Sequence, residues 1–161
     1  MTKFESKFSS ASVSPGFLLW KVSNLHQRQQ KKALEPLGLT PTLFSVLACY
    51  HYLLEKHESV AQSDVCHHAG IDKMLVSDVT KSLVKKNFVK LSKSKTDRRS
   101  FNVVVTNDGA NICNKALKII EQLDADFFGD LKSQYDFLVI MQNLARLQTK
   151  NSSMSQSLRI S

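Results

Sequence analysis

Nine basic side chains crowd into a short run of this chain. Lys73, Lys81, Lys85, Lys86, Lys90, Lys93, Lys95, Arg98 and Arg99 face only two acids in the same run, Asp78 and Asp97. The run carries +7 of the chain's net +8 in about one sixth of its 161 residues. Ammonium and guanidinium groups at this density neutralise phosphates, and a concentrated excess is the footprint of a polyanion, most often nucleic acid. The bland reading is a solvated charged face. The cluster's position on a helix and the hairpin after it favours nucleic acid.

Other chemistry finds less support in the residue pattern. His67 and His68 are adjacent, so on a helix they point about 100° apart and make a poor metal pair. His51 and His57 are six apart, and neither spacing matches a metal motif. No metal is expected. Cys49, Cys66 and Cys113 lie far apart without a C-x-x-C pair, which suggests a reducing, cytoplasmic setting. Cys66 sits on the inward side of a short helix and reads as a small core hydrophobe. Asp124, Asp126 and Asp130 read as a solvated helix edge. No nucleophile–base pair, phosphate loop or metal-ligand spacing is present, so neither an enzyme nor a cofactor is expected. No apolar run approaches the ~18 residues of a membrane span. The N-terminus lacks a continuous apolar stretch after its lysines, so no signal peptide is expected.

The elements that must position the basic cluster can be read locally. Asp72 is a helix N-cap. After it, Leu75/Val76, Val79 and Leu83/Val84 recur at spacings of three and four. That pattern packs one face and leaves Lys73, Met74, Ser77, Asp78 and Lys81 outward. Asn87 stops the helix. Val89 and Leu91 alternate, a polar tip covers Ser92–Ser100, and Phe101, Val103 and Val105 alternate again, which predicts a hairpin with a basic tip. Upstream, Thr40-Pro41 opens a helix carrying Leu43, Val46/Leu47, Tyr50 and Leu53/Leu54. A short helix is predicted over Gln62–Ala69, and Gly70 turns into the helix capped by Asp72. Two short helices with a glycine in the turn, followed by a basic hairpin, predict a mostly α (α+β) winged helix-turn-helix.

The flanks are helical as well. Ser14-Pro15 starts a helix to about Leu34 with Leu18, Val22 and Leu25 on one face, ended by Pro36 and Gly38. Thr106 caps a helix to about Phe128, and after Gly129-Asp130 a last helix carries Leu131, Tyr135, Leu138, Met141, Leu144 and Leu147. Residues 1–13 read as a flexible arm and 149–161 as a disordered, Ser-rich tail. The expected division of 14–148, a single domain, is a winged helix-turn-helix over 39–106 and dimerisation helices over 14–38 and 107–148. Phe17, Leu18, Trp20, Phe127, Phe128, Phe137, Leu138, Ile140 and Met141 would leave a large apolar patch on a monomer. A second copy would cover it, and a two-fold dimer would set two reading helices about 34–36 Å apart, one turn of DNA.

Leu39-Thr40-Pro41, the wing residues Asp97-Arg98-Arg99-Ser100 and the following Val103-Val104-Val105-Thr106-Asn107-Asp108-Gly109 resemble the multiple-antibiotic-resistance regulator (MarR) family, over about residues 14–147. The resemblance implies a homodimer on a pseudo-palindromic duplex DNA operator, usually a repressor released by a small ligand or by oxidation. It places Arg99 in the minor groove, oriented by Asp97. A guanidinium suits that narrow, strongly negative groove. Lys93, Lys95 and Arg98 then fall on phosphates, which position without specifying. The family's ligands are often aromatic acids, which makes Trp20, Phe44, Tyr50 and Tyr52 candidate pocket residues. Trp20 reads more readily as core than as pocket wall. The peroxide-sensing branch uses a cysteine near the start of the first helix, and none is present here. Two departures stand out: Asp78 occupies a position where many members carry a basic or amide residue, and Ala61 replaces the Thr that often caps the third helix. A winged-helix module that meets an acidic protein is the alternative function.

Overall fold

The computed structural model describes residues 4–93 and 101–157, with side chains as far as residue 146. The order is α1 (Pro15–Leu34), α2 (Pro41–Leu54), β1 (Val60–Ala61), α3 (Gln62–Ala69), α4 (Lys73–Lys85), β2 (Val89–Lys93), β3 (Phe101–Val105), α5 (Asn107–Phe128) and α6 (Gln134–Ser157). This is the mostly helical winged helix-turn-helix expected, with a small antiparallel sheet in the order β1-β3-β2.

The helix starts follow the capping chemistry of the sequence. Ser14 accepts from the Phe17 amide, Thr40 from Leu43, Asp72 from Leu75 and Thr106 from Gly109. Each fills one of the amide donors a first turn leaves open. At α3 the cap residue is Ala61, which has no side-chain acceptor. Asp64 supplies the reciprocal contact instead, its Oδ2 accepting from the Ala61 amide at 2.8 Å, so half of the usual box remains. Gly38 closes the 3-10 turn Glu35–Leu37 that follows α1, and Gly70 ends α3, with φ +64° and +65°. Asn87 adopts φ 59° after α4, a conformation an amide side chain tolerates better than most.

The main core lies around α2. Val46, Leu47, Tyr50 and Leu53 pack with Val60, Val65, Val76, Val79, Leu83, Val89, Val103 and Cys113, so α2 touches both helices of the motif, the sheet and α5. A second cluster of Leu34, Leu39, Phe44, Ala116 and Ile120 ties the end of α1 to α5. His26 of α1 meets Asp124 of α5 at 2.7 Å and lies edge-on to Phe127, centroids 5.0 Å apart. Asp124 is therefore partnered across the helices, not a member of a purely solvated edge. Phe137 of α6 sits 5.1 Å from Phe128.

Two readings of the strands need correction. Val60–Ala61 forms a third strand, pairing Val60 with Val103 and Ala61 with Asn102. At two residues it is too short for alternation to register. The expected hairpin forms, with Val89 opposite Val105 and Leu91 opposite Val103, yet only Val89 and Val103 are buried, while Leu91 and Phe101 are exposed. Alternation fixes which side a residue takes. It does not guarantee a layer to pack against.

Gly109 explains the spacing of Thr106 and Gly109. A Cβ there would land on the Phe88 carbonyl, the same group that accepts from the Thr106 amide at 3.0 Å. The Thr106 hydroxyl also donates to the Asn87 carbonyl at 2.7 Å. The start of α5 is thereby pressed against the residues where α4 gives way to the wing.

Candidate nucleic-acid interface

The candidate surface is the outer face of α4 and the strand after it. Val76, Val79, Thr80 and Leu83 are buried. At 3.6 residues per turn, Met74, Asp78, Lys81 and Lys85 fall within about 60° of arc on the opposite side. All four are exposed, Met74 by 76%. Lys73 flanks this face and is exposed, while Ser77 lies on its shoulder, half-buried. Lys85 is not in the outward set expected from the sequence. Its spacing of four from Lys81 and seven from Asp78 was the available signal.

The buried side of α4 is held by a polar contact inside the core. Thr80 Oγ1 donates to the Val76 carbonyl at 2.7 Å and lies 2.7 Å from the Tyr50 hydroxyl. Thr80 has a single hydroxyl proton, already committed, so Tyr50 is the donor to Thr80. Burial pushes the Tyr50 hydroxyl up to about 12, partly offset by the Thr80 contact. On the outer side, Lys81 Nζ meets Asp78 Oδ1 at 2.9 Å. Lys90 and Lys93 on β2 are exposed and extend the positive surface. Lys95, Asp97, Arg98 and Arg99 lie outside the described residues.

The four aromatic pocket candidates are not brought together. Phe44 and Tyr50 are core residues, closed off by α5 and α4. Tyr52 is on the far side of α2, stacked on His68 at 5.4 Å with Lys56 Nζ 4.5 Å from its ring. Among the described residues Trp20 borders the larger cleft while Tyr52 lines a smaller one of about 340 Å³, and Trp20 is 63% exposed, not core. The larger cleft holds about 780 Å³ between α1, α2 and the start of α4. Trp20, Ile71 and Leu75 give it apolar walls, and Arg28 and Lys31 give it positive charge. The sequence did not mark Arg28, Lys31, Ile71 or Leu75 for this role, because they come from α1 and from the approach and first turn of α4, far apart in the chain, and share no motif.

Burial raises the Cys49 thiol, and it pushes Cys113 up to about 11, with Cys49 adding to the rise. Both stay protonated at neutral pH, and a protonated thiol is a poor nucleophile toward peroxide. Among the described residues no group of His, Cys, Asp and Glu is placed to hold a metal ion, and no single helix is long and apolar enough to cross a membrane.

Comparison with known proteins agrees with this architecture. A family model described as the MarR family matches residues 39–101. The uncharacterized HTH-type transcriptional regulator YdcH of Bacillus subtilis (strain 168) is 34% identical over 144 residues, spanning 89% of this chain and 98% of its own. CouR from Rhodococcus jostii RHA1, solved bound to p-coumaroyl-CoA, is 25% identical with a TM-score of 0.71, covering 88% of this chain and 94% of its own. A mutant of MarR from E. coli, solved in complex with operator DNA, has a TM-score of 0.72 at 20% identity, covering 88% and 97%. The winged helix built around α4, together with identity at this level along nearly the whole of a relative, establishes that the chain belongs to the MarR family of transcriptional regulators.

Proposed function

We propose that the protein is a cytoplasmic homodimer that binds a pseudo-palindromic duplex operator and represses transcription by occupying it. The observation that carries this reading is the outward face of α4, where Met74, Asp78, Lys81 and Lys85 project opposite a fully packed side. A helix of this kind fits the major groove, with Lys73 and Ser77 at its flanks. Lys93, Lys95 and Arg98 would take phosphates, and Arg99, held by Asp97, the minor groove. The MarR neighbour was solved on operator DNA.

Dimerisation through 14–38 and 107–148 rests on what α1 and α6 leave uncovered. Leu18, Leu19, Val22 and Leu25 on α1 and Leu138, Ile140, Met141 and Leu144 on α6 are exposed. Soluble chains seldom leave so much apolar surface in water.

Release is assigned to the cleft beside Trp20. An aromatic carboxylate would set its ring on Trp20, Ile71 and Leu75 and its charge on Arg28 and Lys31. Ile71 and Leu75 belong to the approach and first turn of α4, so an occupant that fits one placement of α4 better than another shifts the fraction of DNA-competent dimer.

The test is a fluorescence-anisotropy titration with a fragment of the chain's own promoter and a shuffled duplex of equal length. The promoter fragment should bind at least tenfold more tightly. Log affinity should fall with log salt at about −0.9 per neutralised phosphate. Equal affinity for both duplexes, or a slope near zero, would leave the protein-interaction reading in its place.

A further inference from the structure

Asp78 is the only acid within α4, and it stands near the middle of the outward face. A lone carboxylate there would repel a phosphate backbone. It is not alone: Lys81 Nζ lies 2.9 Å from Oδ1, with the two side chains 69% and 64% exposed. The Ser82 hydroxyl bonds the Asp78 backbone carbonyl, not the carboxylate. Among the described residues, then, Oδ2 and two of the three ammonium protons have no protein partner. The face presents an acceptor and a donor side by side.

A base-pair edge in the major groove presents the complement. Its amino donor and keto acceptor hydrogen-bond each other, so they too sit about 2.9 Å apart, each with one hydrogen or lone pair still open to the groove. The ion pair can therefore meet a single base pair edge to edge, the carboxylate accepting from the amino group and the ammonium donating to the keto oxygen. The amino group falls on the Asp78 side in two cases, cytosine paired with guanine and adenine paired with thymine. The neighbouring atoms separate them. Adenine N7 is an acceptor beside its amino group and would face the carboxylate. Guanine N7 is an acceptor beside O6 and gives Lys81 a second partner.

The geometry points to the Asp78–Lys81 pair as the reader of one C·G base pair in each half-site, with cytosine at Asp78 and guanine at Lys81. This rests on the reading that α4 enters the major groove. Met74 one turn before the pair and Lys85 one turn after it lie on the same line of the helix, so the pair sits centrally within the stretch a groove would accept. The carboxylate thereby becomes a selector: guanine O6 or thymine O4 in the cytosine position would oppose it with like polarity.

The experiment is selection of bound sites from a random duplex library, with the full chain, for the wild type and for Asp78→Asn and Lys81→Met. Both positions are exposed, and thermal melts of the variants verify that the fold is kept. The wild type should select C·G at one symmetric pair of positions. Asp78→Asn should move the preference there toward adenine by at least about fivefold, because an amide reads adenine N6 and N7. Lys81→Met should lose the guanine preference at that same pair and leave other positions alone. Variants that keep the wild-type motif, with affinity changed equally on all sequences, overturn the assignment and make the pair a phosphate-facing charge. Changes that fall at different base pairs overturn it too. A wild type that selects no motif removes the groove reading itself, an outcome separable from the other two.

Discussion

Replacing Thr80 with valine tests whether α4 is oriented from inside the core. Thr80 is buried on the packed side of α4, and its hydroxyl accepts from the fully buried Tyr50 hydroxyl at 2.7 Å. Valine keeps the shape and removes that acceptor. The Tyr50 hydroxyl is then stranded in apolar surroundings, at a cost of about 1–3 kcal/mol. The Val76 carbonyl loses only a secondary donor, which adds little. Near 2 kcal/mol should appear in urea unfolding monitored by circular dichroism at fixed protein concentration, with an unchanged slope against denaturant. For a chain of this length that is a fall in Tm of about 4–8 °C. Tyr50→Phe alone removes the donor and leaves Thr80 bonded to Val76, so it should cost less, about 1 kcal/mol. The double variant decides the matter, because with both hydroxyls gone nothing is stranded. It should be no less stable than Thr80→Val, giving a coupling of about 1 kcal/mol or more between the two sites. Additive losses would show that the two hydroxyls do not depend on each other and would refute the account of how α4 is held.

Gly109→Ala should destabilise the chain by more than 2 kcal/mol, since the new methyl meets the Phe88 carbonyl and nothing flexible can yield; denaturant unfolding reads this directly, and a loss within about 0.5 kcal/mol, the range of neutral surface changes, would refute it. Stability should fall as pH rises from 9 to 11, because the unfolded chain releases the Cys113 proton near 9 while the folded chain holds it up to about 11; the Cys113 share of the loss approaches about 2 kcal/mol, and Cys113→Ala should make the pH profile in thermal melts shallower, with Cys49 and Tyr50 supplying the slope that remains. Arg99→Ala should weaken operator binding in a gel-shift titration more than Lys93→Ala does, as a minor-groove contact outweighs one phosphate; equal losses would exclude that role. Arg28→Ala should abolish the release of DNA by aromatic carboxylates while leaving affinity without ligand unchanged, measured by anisotropy with benzoate-class acids.

What the sequence made legible, and what it hid, divides along the range of the interactions. Caps are local: Ser14, Thr40, Asp72 and Thr106 each act on an amide three residues on, so single residues placed four helix starts. Faces of helices are local as well: a period of 3.6 put Met74, Asp78 and Lys81 on the outward side of α4, though Lys85, on the same line, was passed over and Ser77 is half-buried. Contacts between distant segments left no such trace. His26 pairs with Asp124 across 98 positions, and neither residue's neighbours advertise the other. The cleft draws its charge from α1 and its apolar wall from the approach to α4, so aromatic content alone pointed to Phe44 and Tyr50, which the core had already claimed. The two-residue β1 is held by β3, not by its own propensity.

The start of α4 joins the cleft to the outward face of the helix. Asp72 fixes the Leu75 amide, Leu75 and Ile71 line the cleft, and Met74, between them, is the most exposed apolar residue on the reading face. Cleft and proposed groove surface thus share one helical turn. The far end of α4 is anchored differently, by Leu83 in the core and by the turn at Asn87, whose carbonyl takes the Thr106 hydroxyl of the α5 cap. A ligand in the cleft would therefore bear directly on the first turn of α4, which Val76 roots in the core, while the last turn is tied to the cap of α5. Under that arrangement the first-turn contacts, Lys73 and Met74, should respond to ligand before Lys81 and Lys85 do. Ligand-dependent loss of binding should accordingly depend more on bases opposite the start of α4 than on those opposite its end.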